Sequence, residues 1–136
     1  MRKVIEYFGT YDRFAKHAGI ELVSVSDGGA KAKLEIEEYH LNSAGVAHGG
    51  AIFTLADFAF AAASNSDGKM ALSINASINF LKAAQGGTLY AEAKQVSLHK
   101  KLGTYSIRVT DEKDNLIATF QGLVYRKNVD LPDWNS

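Results

Sequence analysis

One carboxylate stands in the most apolar stretch of the chain. Asp57 lies within "AIFTLADFAFAAA", residues 51–63, and its neighbours inside one helical turn are Phe53, Ala56, Phe58, Phe60 and Ala61. Ionised and unpaired in such surroundings, a carboxylate costs several kcal/mol, so it must pair, hold a proton or face a working cleft. The same surroundings raise its pKa toward the range useful for acid/base chemistry. The plainer alternative, a carboxylate on a solvated helix face, sits badly among those neighbours.

Eight residues earlier, Gly49 and Gly50 stand where the apolar run begins, preceded by His48 in "HLNSAGVAHGG". A glycine pair can simply permit a tight helix entry. It also leaves backbone N–H groups at the positive end of a helix dipole with no side chain in front of them, which suits a developing oxyanion. Spacing joins the two features. Eight residues are about 12 Å along one α-helix, whereas a carbonyl oxygen and the nucleophile attacking its carbon lie a few ångströms apart. One helix cannot bring both groups to one reaction centre. Two helices related by a two-fold axis can, so the spacing asks for a dimer with composite sites.

Other constellations are weaker. His40, His48 and Asp57 lack the close pairing of a metal motif such as HExxH. Ser43, His48 and Asp57 lack the G-x-S-x-G elbow of a nucleophilic serine. "GVAHGG" matches neither the dinucleotide fingerprint nor the P-loop. His17 and His99 read as surface or strand-end residues.

The elements that must position these groups are legible from periodicity. Val4, Ile5, Phe8, Tyr11, Phe14, Ala15 and Ala18 recur at helical spacing, predicting an amphipathic helix over 2–17 that ends near Gly19. "IELVSVS" and "DGG" predict a strand and a hairpin turn, after which Ala32, Leu34 and Ile36 alternate with Lys31, Lys33, Glu35 and Glu37 as a half-exposed strand. A helix over about 49–65 is apolar nearly all round, with six alanines between 51 and 63, which predicts burial on every side. Four further strands follow near 70–81, 87–98, 103–111 and 116–126, with a turn at 113–115. The expected architecture is α+β, a single domain over 1–136 in which one antiparallel sheet curls around a central hydrophobic helix. One sheet covers one side of that helix, and a second subunit is the natural cover for the rest.

Composition narrows the function classes. The 136 residues carry 15 Lys+Arg against 15 Asp+Glu, a balance unlike the basic face that phosphate backbones require. Cysteine is absent, so there is neither a disulfide framework nor thiolate chemistry, and this suits the cytosol. The N-terminal residues lack a signal-peptide pattern, and the 13-residue apolar window falls short of the roughly 20 residues of a membrane span. The expectation is a cytoplasmic protein with neither nucleic acid nor membrane as partner.

"HLNSAGVAHGGAIFTLADFAFAAASNS" resembles the core motif of the hotdog-fold acyl-CoA thioesterases, specifically their phenylacetate-degradation branch. The likeness continues through "ALSINASINFLKAAQGGTLYAEA" and "HKKLGTYSIRVTDEKDNLIATFQG", covering most of residues 20–126. It implies a hotdog fold, dimers paired edge to edge and commonly assembled into tetramers, and hydrolysis of an acyl-CoA thioester with no metal or other cofactor. Carried over position by position, it implies that the Gly49 N–H polarises the thioester carbonyl and that Asn42 orients the carbonyl or the attacking water. Asp57 of the opposite subunit would be general base or nucleophile, and His48 would hold the loop and thioester in place. Where some relatives carry a hydroxyl one turn after the acid, this chain has Ala61. Others use a serine on the following strand, matched here by Ser73, although strict alternation groups Ser73 with Asn75, Ser77 and Asn79 and opposite Leu72, Ile74 and Ile78. A proline usual after "FLK" is Ala83.

Gly50 and Phe53 join the expected substrate contacts, and Phe53, Phe58 and Phe60 suit an aryl or a medium-chain acyl group equally. Lys82, Lys100 and Lys101 fall at strand ends where the CoA phosphates could run, though turn lysines are commonly just solvated. The competing class is a non-catalytic acyl-CoA-binding or regulatory hotdog protein, which would gain nothing from a desolvated acid. An enoyl-CoA hydratase of related fold is disfavoured because no histidine follows Asp57 in its helix.

Overall fold

The computed structural model describes residues 2–132. In chain order these form α1 (Arg2–Tyr11), α2 (Arg13–His17), β1 (Glu21–Ser26), β2 (Gly29–Glu35), a 3-10 turn (Glu38–His40), α3 (Gly49–Ser64), β3 (Lys69–Phe80), β4 (Thr88–Leu98), β5 (Leu102–Thr110) and β6 (Leu116–Asp130). The six strands make one antiparallel sheet in the order β1-β2-β4-β5-β6-β3.

The sheet wraps α3, and the residue sizes explain how. On the concave face β2 and β4 present Ala30, Ala32, Ala91 and Ala93, all buried, so the backbone of α3 can lie close to these strands. Bulk is supplied from the helix by Ile52, Leu55, Phe58 and Phe60 and from β5 and β6 by Ile107, Val109, Phe120 and Val124. Gly122 on β6 leaves room for Phe60; a Cβ there would overlap the phenyl ring. The all-round apolar character of α3 is thus absorbed largely within one chain.

Two differences from the periodicity reading matter. The predicted helix over 2–17 is broken at Asp12, whose carboxylate accepts the Ala15 N–H (3.1 Å) and caps a new helix. An aspartate is a far better N-cap than helix interior. The break swings Phe14 out of the apolar face and leaves it 69% exposed. The second concerns cover for α3: part of what the sequence assigns to a second subunit comes from α1, whose Phe8 meets Phe58 edge-on with ring centroids 6.4 Å apart.

The sheet ends in two edge strands, β1 and β3. β3 is 12 residues long and its free edge carries exposed Leu72, Ile74 and Phe80. No described helix is long and apolar enough to cross a membrane.

Candidate active site

The candidate residues sort to the two ends of one layer, an arrangement created by α3. Its N-terminal end is built from the loop 41–48, which Asn42 organises. The Asn42 side-chain oxygen accepts the N–H groups of Ala44 (2.9 Å) and Val46 (3.3 Å), and its backbone N–H donates to Val46 O. These bonds identify which amide atom is oxygen, and the Nδ2 group, a pure donor, has no acceptor among the described residues. His48 is the N-cap residue of α3. Its Nδ1 accepts the Gly50 N–H at 2.8 Å, while its carbonyl takes the N–H groups of Ala51 and Ile52. A neutral ring accepting at Nδ1 carries its proton at Nε2.

The four N–H groups that begin a helix are normally unpartnered. Here Gly50, Ala51 and Ile52 are satisfied and Gly49 has no acceptor among the described residues. The glycine pair therefore divides its roles: Gly49 offers a free donor at the positive end of α3, and Gly50 is consumed by the cap. A side chain at Gly49 would press on the ring of Phe80, 3.2 Å from its tip. Lys82 follows two residues after Phe80, tied to β6 through its own N–H and that of Leu81 to Ile117 O.

Two turns along α3, Asp57 is half-buried and its carboxylate makes no hydrogen bond or ion pair with any described residue. It borders a cavity of about 250 Å³ lined by Tyr7, Phe8, Phe60, Met70, Val124 and Leu131, among others, with Ser73 also on its wall. Burial pushes the Asp57 carboxyl above its ordinary range, and the negative charge of Asp12 adds to the shift. Both causes disfavour the ionised form.

Ser73 corrects the alternation read from sequence. Ser73 pairs with Val124, but the next paired residue is Asn75, opposite Leu123; Ile74 is the extra residue of a β-bulge. A bulge shifts the pleat by one residue. Ser73 therefore shares the concave side with Val124, whereas Asn75 and Ser77 lie on the outer face opposite Leu123 and Gln121. Ser73 and Asp57 of one chain line the same cavity.

The remaining candidates fall as follows. Phe53 lies midway along α3, its ring against Phe120 at 5.2 Å, and does not line the cavity of Asp57. Phe58 is buried beneath Phe8, so of the three phenylalanines only Phe60 reaches that cavity. Lys100 and Lys101 are exposed at the β4–β5 turn, where their carbonyls accept from Asn128 and the Arg126 N–H and Lys101 lies 5.8 Å from the Tyr125 ring centroid. Eight β6 residues separate Ile117 beside Lys82 from Tyr125 beside Lys101, roughly 27 Å of strand. His40 is buried and committed to the Glu37 N–H and the Ala18 carbonyl, pinning the loop to α2. Sequence reasoning missed Tyr7, Phe8, Met70 and Leu131, which reach Asp57 from opposite ends of the chain.

The chain is similar to known proteins in sequence and in fold. Residues 44–118 match the thioesterase superfamily. A protein of Archaeoglobus fulgidus is 44% identical over 133 residues, 97% of this chain and 86% of its own. The acyl-coenzyme A thioesterase PaaI of Escherichia coli is 35% identical over 116 residues, 85% of this chain and 83% of its own. The solved structure of E. coli PaaI superposes with a TM-score of 0.91, covering 96% of this chain and 95% of that one at 31% identity. A Streptococcus mutans protein solved with bound acetyl CoA has a TM-score of 0.78 at 28% identity, covering 82% and 91%. With its hotdog fold, its helix-borne acid and its glycine entry, the chain belongs to the thioesterase superfamily and is PaaI-like within it.

Proposed function

We propose that this protein hydrolyses the thioester of an aryl- or medium-chain acyl-CoA, releasing the acid and CoA, at sites shared between two subunits and without a metal. The observation that carries the reading is the pairing on α3 of an unpartnered acid and an unpartnered backbone donor at a separation no single substrate carbonyl can span. The names of the relatives support the acyl-CoA class: PaaI is an acyl-CoA thioesterase, and a 32% identical Listeria monocytogenes protein is a 1,4-dihydroxy-2-naphthoyl-CoA hydrolase.

Two copies joined along the free edges of β3 by a two-fold axis run their strands antiparallel. The Phe80 end of one strand then lies toward the Lys69 end of the other. This brings Gly49, Asn42, His48 and Lys82 of one subunit toward the partner's Asp57, Ser73, Lys100 and Lys101. The exposed apolar side chains of β3 support the same contact, since a long hydrophobic edge invites pairing. A back-to-back pair of such dimers is the tetramer that the family resemblance implies.

In that site the Gly49 N–H and the Asn42 amide donate to the thioester oxygen. Ionised Asp57 either takes a proton from a water held by Ser73 or attacks the carbonyl carbon itself. Direct attack expels CoA thiolate and leaves an acyl-aspartyl anhydride, which water hydrolyses to the two carboxylates, one released proton going to the thiolate and the other to solvent. In the first route the C–O bond forms, negative charge collects on the carbonyl oxygen, and its collapse breaks the C–S bond. The proton held by Asp57 then passes to the thiolate of CoA. The lysines supply positive charge for the phosphates of CoA.

Release of free thiol from a panel of acyl-CoA esters tests the reading. Turnover that depends on the acyl group is expected. Tight ester binding with no thiol release across the panel would leave the second reading, a non-catalytic acyl-CoA-binding protein.

A further inference from the structure

The cavity beside Asp57 takes part of its lining from segments outside the residues 44–118 that match the superfamily. Tyr7 and Phe8 come from α1, and Leu131 comes from beyond β6, where its N–H donates to Gly68 O. α1 is held there by buried Val4 and by the edge-on contact of Phe8 with Phe58. Met70, Val124 and Leu131 complete a mostly apolar chamber whose one charged lining group is the carboxylate of Asp57.

We propose that α1 is the closing wall of the acyl pocket and that Tyr7 and Phe8 determine which acyl groups the enzyme accepts. The inference rests on the thioesterase reading above, because it treats Asp57 as the group facing the scissile carbonyl. From that carbonyl, the CoA sulfur must leave toward solvent, since a nucleotide tail is too large and too polar for the chamber. The acyl chain is left with the apolar side. A dry cavity of about 150 Å³ takes a benzene ring. The chamber of about 250 Å³ therefore holds one ring with a short linker, and a long straight chain meets the rings of Tyr7 and Phe8. A pocket can discriminate on this basis, because each methylene that fits or fails to fit changes the rate by about 10- to 200-fold.

The test compares kcat/KM for acetyl-, benzoyl- and decanoyl-CoA in the wild type, Phe8→Ala and Tyr7→Trp, with Tm measured for each. Phe8→Ala lengthens the chamber, so the decanoyl-to-benzoyl ratio is expected to rise at least tenfold. Tyr7→Trp shortens it, so the benzoyl-to-acetyl ratio is expected to fall. General loosening of the fold would lower all three rates together and leave both ratios alone, and that result in a folded variant overturns the proposal. Should Phe8→Ala not fold, Phe8→Leu takes its place with the same sign expected. If the wild type hydrolyses none of the three esters, the thioesterase reading fails by itself, and the same ratios are then read from dissociation constants of the intact esters by calorimetry. Equal ratios in wild type and variants by that measure overturn the role of α1, and so does absence of binding.

Discussion

Helix α3 carries two unpartnered groups made of two kinds of atom. At its N-terminal end the reactive group is backbone: the free N–H of Gly49, oriented by the His48 cap and left open by glycine. Two turns later it is a side chain, Asp57, whose charge is held in a chamber of rings and aliphatic groups. The first end stabilises negative charge and gains stability from its own geometry, because the cap satisfies a helix donor. The second end carries negative charge and is strained by it, because burial and Asp12 both oppose ionisation. In the proposed dimer the donor of one subunit faces the acid of its partner, and each site takes one group from each chain.

The largest effect expected from disturbing this contrast is at the acid. Asp57→Ala should lower kcat by at least about a hundredfold, the usual scale for losing an acid/base group, with ester binding retained. Turnover near that of the wild type in purified Asp57→Ala would remove the acid from the mechanism.

Next in size is complementation. Gly49→Val blocks the donor end, and because its Cβ would press on the ring of Phe80, folding and dimerisation of this variant alone are the control. Each variant alone should be almost inactive. In a heterodimer with Asp57→Ala, one site collects both defects and the other collects neither. Refolding an equal mixture pairs about half the chains as heterodimers under random two-fold association, so recovery near a quarter of wild-type activity is expected. A folded, dimeric Gly49→Val whose mixture stays inactive would show that both groups do not serve one shared site.

Stability should change with opposite sign at the two ends. His48→Ala removes the cap and should cost about 1 kcal/mol in denaturant unfolding, within the usual range for an N-cap. Asp57→Asn should stabilise the protein at neutral pH. The folded-state pKa of Asp57 lies above its unfolded value, so the folded protein binds more protons between the two values and its stability falls as pH rises through that window. The gain from Asp57→Asn should accordingly vanish at acid pH, below both values. Equal Tm values for Asp57→Asn and wild type at pH 7 would mean that the carboxylate is not strained.

The smallest effect is a shift of profile. The proposed mechanism uses ionised Asp57, so kcat/KM should rise along an acid limb lying above the ordinary carboxylate range. Asp12→Asn keeps the cap on α2, since asparagine caps as well as aspartate, and removes one of the two causes raising the pKa of Asp57. The limb should move to lower pH with little change in the plateau. An unmoved limb would leave burial as the sole cause.

Much of this was legible without coordinates because it depends on local rules. The all-apolar period of residues 51–63 identifies a buried helix, and one acid within it is conspicuous against that background. The eight-residue spacing to Gly49 becomes a distance as soon as the segment is helical. Strands 88–98 and 102–110 fall within a residue of their expected bounds. The break at Asp12 was missed because seven apolar residues in helical register outweighed one capping side chain.

Ser73 shows the limit of alternation. A pleat assigns faces only while every residue pairs, and the bulge at Ile74 cannot be seen in the letters "LSINAS" because it depends on how β3 meets β6. Tyr7, Phe8 and Leu131 were beyond reach for a related reason: nothing local connects residues 7, 57 and 131, and only the packing of α1 over α3 and the end of β6 makes them neighbours. By itself the sequence determined which helix is central, where its acid lies and which end has open backbone, since these follow from period, composition and the geometry of a helix. The tertiary structure alone decided that a serine shares the face of the acid and how much open space lies beside that acid. Each of those depends on contacts between segments distant in the chain, and such contacts have no local code.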